Sequence, residues 1–217
     1  MAPWVDHIPA LREAWYPGQQ GGDALAQILF GEFNPSGRLP ISIERRWEDN
    51  ASHDSYYPKA GSKKVEYSEG IFVGYRHFDK SSTKPLFPFG YGLSYTSFAY
   101  KNLMITPPSA NQHSTDKQVT LTFDVTNTGA RAGADIAEIF VGDHHAPVPR
   151  PVKELKGFAK VNLSPGETKT VTVKLDRRAF SYFDVNQHAW TLAPGDFDLF
   201  VARSAADIEL TGKVALH

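Results

Sequence analysis

Two carboxyls held a few ångströms apart, one ionised and one keeping its proton, can act as nucleophile and general acid. Acid pairs are therefore the first residues to weigh in a chain without cysteine. Glu66 and Glu69 stand three apart beside an aromatic-rich segment, and Asp79 follows Tyr75-Arg76-His77-Phe78. If the segment from Glu66 is extended, the two glutamates point to opposite faces and cannot pair without a sharp bend. The plainer reading is that Arg76 neutralises one of these acids in a partly buried ion pair. Asp143-His144-His145 has the residue types of a metal site. Adjacent histidines on a strand point apart, however, and no second ligand cluster accompanies them, so no metal is expected. Gly18, Gly21 and Gly22 precede Asp23 and could lend backbone N–H groups to an anion. Neither a dinucleotide fingerprint nor a phosphate loop is present, and Asp23 would repel a phosphate. The expectation is a tight turn that lets Trp15 and Tyr16 pack, with no cofactor site. Asn34-Pro35-Ser36-Gly37 has turn chemistry, and Gly90-Tyr91-Gly92-Leu93-Ser94 does not match the Gly-x-Ser-x-Gly of a nucleophile elbow. Of Trp4, Trp15, Trp47 and Trp190, most are expected in core or interdomain packing. Trp47, among Arg45, Arg46, Glu48 and Asp49, is the candidate for an exposed, substrate-binding face.

The elements that would position these residues differ between the two halves of the chain. From Gln118 onward, Val119, Leu121, Phe123 and Val125 alternate with Thr120, Thr122 and Asp124, the pattern of a strand with one buried face. Val171–Leu175 alternates likewise, as do Phe197, Leu199 and Val201, while Ile136–Val141 is almost continuously apolar. Ser164-Pro165-Gly166 and Ala193-Pro194-Gly195-Asp196 supply turns. About seven short strands in ~100 residues predict an immunoglobulin-like or fibronectin type III-like sandwich. The first hundred residues show one clear helix, with Asp23 as its cap, Leu25, Ile28 and Leu29 as an apolar stripe and Gly31 at its stop. Leu39–Ile43 reads as a short strand, and Ile71–Phe78 as a strand or ordered loop. So few elements cannot cover both faces of a sheet, and this half reads as the tail of a larger α/β domain. The expected fold is an α/β fragment at 1–100, a linker and first-strand region at 101–117, and an all-β sandwich at 118–217. Thr106–Ser114 has linker composition.

With 217 residues, 41% of them hydrophobic, the chain can bury one large core or two small ones. Net charge is −1, from 23 basic and 24 acidic residues, and no long run of either sign suggests nucleic acid or an anionic membrane as partner. The absence of cysteine excludes disulfides and thiolate chemistry and leaves the redox compartment open. The first residues lack the basic and apolar stretches of a signal peptide, and no segment approaches the ~20 apolar residues of a membrane span. Any export signal is expected upstream if it exists. Asn50-Ala51-Ser52 and Asn162-Leu163-Ser164 are formal glycosylation acceptors that tilt the expectation slightly towards secretion.

Three longer segments carry more than any short motif: Trp15-Tyr16-Pro17-Gly18-Gln19-Gln20-Gly21-Gly22, Asn34-Pro35-Ser36-Gly37-Arg38-Leu39-Pro40, and Pro88–Phe98. In this order, and with Glu69–Asp79, they resemble the carboxy-terminal part of family 3 glycoside hydrolases, the family of many β-glucosidases and β-xylosidases. The resemblance implies the end of the family's α/β sandwich domain followed by its fibronectin type III-like domain. It also implies a retaining hydrolysis of terminal β-linked glucose, with a β-glucoside or oligosaccharide as partner. In that family the nucleophile lies on an amino-terminal barrel and the acid/base upstream of the segment matching Trp15. No catalytic residue is therefore expected here, and the barrel is an expected partner. The other reading is a non-catalytic module that binds polysaccharide or a partner chain.

Overall fold

Strand alternation in the second half produces a two-layer β-sandwich. The structure, a computed structural model, describes residues 4–109 and 118–216. One sheet has the order β1-β2-β5, from Phe98–Thr106, Val119–Asn127 and Thr168–Leu175. The other has the order β4-β3-β8-β9, from Glu154–Leu163, Gly133–Asp143, Gly195–Ser204 and Asp207–Leu216. A hairpin of β6 (Ser181–Asp184) and β7 (Ala189–Leu192) lies outside both sheets. All the pairings are antiparallel. Val119, Leu121, Phe123 and Val125 of β2 turn inward against Ile139, Val141, Leu199 and Val201, and all eight are almost wholly buried. Each such side chain contributes on the order of 2 kcal/mol by leaving water.

The sandwich begins earlier than residue 118. β1 pairs with β2 from Phe98↔Asn127 to Thr106↔Thr120, so a division at residue 100 falls inside a strand. The strand bulges between Lys101 and Met104, where Asn102 takes a left-handed conformation. Of the expected linker, residues 110–117 lie outside the described part.

The unbroken apolar run in β3 has a physical cause. Ala137, Ile139 and Val141 face the sandwich core, whereas Phe140 joins Ala202 and Ala205 in a second cluster on the outer face of the same sheet. That outer face is covered by Tyr75 and Phe89 from the first half, so β3 is apolar on both sides. Tyr75 belongs to a helix, α2 (Tyr75–Ser81), where a strand or loop is expected. Tyr75 and Phe78 stand three apart on one helical face, where Tyr75 packs on the second cluster and Phe78 is buried, while Ile71, Phe72 and Val73 precede the helix and form no strand.

The other helix, α1 (Gly21–Leu29), forms near its expected place with Gly31 at φ +78° after its end. Asp23 lies in its first turn rather than at the cap, where it favours the helix dipole. None of its residues is buried. Leu39–Ile43 forms no strand beyond a single bridge from Ile43 to Phe87. Among the described residues, no helix is long and apolar enough to cross a membrane.

Candidate functional site

The motifs near the carboxylates form a seam that locks the first half onto the sandwich. Asn34 Oδ1 accepts from the Ser94 hydroxyl (2.9 Å) and the Tyr95 N–H (2.8 Å), while its amide donates to the Ala132 carbonyl (2.9 Å). Arg38 donates to the Gly92 carbonyl (2.6 Å) and forms a buried ion pair with Asp135. Asp135 also accepts from the Tyr100 hydroxyl at 3.0 Å. Burial, then the charge and hydrogen bond of Asp135, push the Tyr100 phenol well above its ordinary value. Asn127, fully buried, accepts from Thr96 (2.7 Å) and Gly129 (3.1 Å) and donates to the carbonyls of Arg131 and Leu163. The Asn34 and Gly90 segments are architectural, and Asn34, Arg38 and Asn127 go unnoticed in the sequence because their partners lie far along the chain.

The acids singled out in the sequence are dispersed. Arg76 pairs not with Glu66, Glu69 or Asp79 but with Glu154 of β4, at 3.2 Å. Asp79 takes Lys153 at 2.6 Å. Glu66 lies 3.9 Å from Lys59 at the surface, and Glu69 accepts from the Ser55 hydroxyl at 3.4 Å. The local expectation fails because docking of α2 brings β4 closer to Arg76 than its own neighbours. Burial pushes the Glu154 carboxyl up, but hydrogen bonding from Arg150 and the charges of Lys156, Arg150 and Arg76 bring it below its ordinary value.

Glu138 on β3 is a buried acid whose carboxyl is pushed well above its ordinary value, and the sequence gives no sign of it beyond a lone charge in an apolar run. It is 4% exposed, and its Oε2 has no hydrogen-bond partner among the described residues. Burial pushes its carboxyl up to about 7, with Arg38 opposing. Gly90, at φ +80°, packs so closely that a Cβ there would lie 2.5 Å from this carboxylate. The side chain is walled in rather than aimed into a cleft.

Asp143 accepts from the His145 and Ala146 N–H groups and pairs with Arg150 at 2.8 Å, which closes the turn after β3. His144 turns away to Asp198 at 2.7 Å. Among the described residues, no group of three or more His, Asp or Glu could hold a metal. The turn at Gly18–Gly21 forms, with the Gly21 N–H donating to the Gly18 carbonyl. It does not bury Trp15 or Tyr16, however, and Tyr16 is fully exposed.

Of the tryptophans expected in core or interdomain packing, Trp4, Trp15 and Trp190 are about half exposed and none is in the core. Trp190 carries the Arg178 guanidinium over its ring at 4.4 Å. Trp47, 38% exposed, meets His53 and Tyr56 edge to face at 5.6 and 5.2 Å, and Tyr56 meets Tyr57 at 4.9 Å. Beside this row lies a cleft of about 100 Å³ lined by Asp54, Tyr57, Lys59, Ser62, Lys64 and Glu66, among others. A second cleft, of about 240 Å³, lies between α2, Pro85 and Ala205. Its acid, Asp79, is already held by Lys153.

Comparison with known proteins places the two halves separately. Residues 1–95 match the Glycosyl hydrolase family 3 C-terminal domain, and residues 135–205 match a fibronectin type III-like domain. Beta-glucosidase B of Emericella nidulans is 43% identical over 99% of this chain and 26% of its own length. A β-glucosidase of Bacteroides ovatus is 44% identical over 96% of the chain and 28% of its own length. Among solved structures, the β-glucosidase DesR of Streptomyces venezuelae, in complex with D-glucose, superposes with a TM-score of 0.91 at 37% identity. That match covers 99% of this chain and 27% of DesR. The chain thus spans little more than a quarter of the length of these relatives.

Proposed function

This chain belongs to glycosyl hydrolase family 3, whose C-terminal region it carries, and from that premise we propose that it is the scaffold portion of a β-glucosidase. In this reading the whole enzyme hydrolyses terminal β-linked glucose with retention, and the present residues buttress its active-site domains without supplying a catalytic carboxyl. Residues 1 to about 97 are its α/β part, and the sandwich starts at β1.

The carrying observation is the outward apolar face of the first half. Trp15, Tyr16, Leu25, Leu29, Phe30 and Phe33 are all exposed, and four of them lie on or just beyond α1, which buries nothing against its own sandwich. Exposed large apolar residues concentrated in this way mark an interface, and relatives nearly four times as long supply the protein that would cover them. The chemistry agrees. Retaining hydrolysis needs two carboxyls ~5–5.5 Å apart across a substrate cleft. Here Glu66, Asp79 and Glu154 have cationic partners, and Glu138 is enclosed.

The test is hydrolysis of p-nitrophenyl β-glucoside by the purified chain, with circular dichroism showing that it is folded. No turnover is expected. Turnover that disappears on replacing a carboxylate of this chain, Glu138 or Asp79 for instance, would overturn the proposal.

A further inference from the structure

The aromatic row at Trp47 remains outside this scaffold role. We propose that Trp47 and Tyr57, both braced edge to face against Tyr56, form with the polar cleft beside Tyr57 a carbohydrate-binding ridge for a neutral β-linked oligosaccharide. The preference for a glucan among such oligosaccharides rests on the β-glucosidase reading. The ridge itself rests on the geometry below.

The three rings interlock edge to face, an arrangement favoured by the ring quadrupoles, so the ridge is held before any ligand arrives. Its backbone is anchored as well. Asn50 Oδ1 accepts from the Ser52 N–H (3.0 Å) and hydroxyl (2.8 Å), and Arg46 pairs with Asp49 at 2.8 Å. His77 of α2 donates to the Asp49 carbonyl at 3.1 Å, which ties the loop to the helix docked on the sandwich. Exposure rises along the row from 38% at Trp47 to 75% at Tyr57. Half-exposed rings held in this way offer apolar surface that fits the C–H faces of sugars and cost little conformational entropy on binding.

The adjoining cleft selects the class of ligand. Asp54 and Glu66 are balanced by Lys59 and Lys64, so donors and acceptors converge with no net charge, as a neutral polyol requires and a phosphate or nucleic acid does not. Lys59 and Glu66 are 3.9 Å apart, too far for a hydrogen bond to each other, which leaves both able to bond hydroxyls. Trp190, in the second half, meets Phe183 edge to face at 5.7 Å but carries the Arg178 guanidinium over its ring at 4.4 Å, which sets it apart from the Trp47 row.

The experiment is a tryptophan-fluorescence titration of the folded 217-residue chain with cellotetraose, in the wild type and in Trp190→Phe to remove that signal. A saturable change is expected in both. Trp47→Ala is expected to abolish it, and Tyr57→Ala, a change at a 75% exposed side chain that keeps the fold, to weaken it at least tenfold. No saturable change with cellotetraose or xylotetraose, or a response untouched by Tyr57→Ala, would overturn the ridge. Saturation with xylotetraose alone supports the ridge while contradicting the β-glucoside reading, and neither outcome depends on hydrolysis.

Discussion

Replacing Glu138 by glutamine tests the seam at its most strained electrostatic point. The carboxyl is walled in by Gly90, has an unpartnered Oε2 and is pushed from 4.5 up to about 7 by burial, against the opposing charge of Arg38. A folded-state value above the unfolded one means the fold prefers the protonated acid. The associated stability is fully present below about 4.5 and is lost as pH rises through about 7. At 1.36 kcal/mol per tenfold change in proton affinity, the ionised fold is disfavoured by about 3 kcal/mol. In a protein of this size that corresponds to roughly 6–12 °C in melting temperature. Glutamine is neutral at every pH and nearly isosteric, but its amide must also find partners. At pH 8 the variant should therefore exceed the wild type by about 1–3 kcal/mol. At pH 5 the difference should vanish or reverse. Calorimetric melts of both proteins at pH 5, 6, 7 and 8 give the answer. Parallel curves, or a variant less stable than the wild type at pH 8, would refute the reasoning.

Two further changes test the same architecture. Asn127→Ala removes four hydrogen bonds from a fully buried position and leaves the Leu163 carbonyl and the Thr96 hydroxyl without this partner. It should cost about 3 kcal/mol in urea unfolding, and a loss below about 1 kcal/mol would show that water replaces the side chain. Gly90→Ala forces a Cβ into a left-handed backbone and against Glu138, so about 2 kcal/mol of destabilisation is expected. An unchanged melting temperature would show that the Pro88–Gly90 turn can rearrange freely.

Local signals made the sandwich readable. Alternation in β2, β5 and β8 needs only the two-residue period of a strand, and the Ser164-Pro165-Gly166 turn needs only local chemistry. The seam was legible only as motifs. Asn34-Pro35-Ser36-Gly37-Arg38 stood out as a turn, but nothing adjacent to Arg38 foretells Asp135. The same limit explains Ile71–Phe78. Its residue types favour a strand, and only the outer face of β3 rewards a helix that brings Tyr75 against Phe140. Charged neighbours singled out Trp47 as the exposed tryptophan, yet at 38% it is less exposed than Trp4, Trp15 or Trp190, and its companions Tyr56 and Tyr57 were not legible because no sequence period links them to it.

By itself, then, the sequence determined the family, the main strands of the sandwich and the want of cysteine chemistry, because these reside in runs of adjacent residues. Tertiary structure alone decided which charges meet. Arg76 met Glu154, Lys153 met Asp79, and Glu138 was left buried with an unpartnered oxygen, because ion pairing inside a protein depends on which surfaces dock and exclude water.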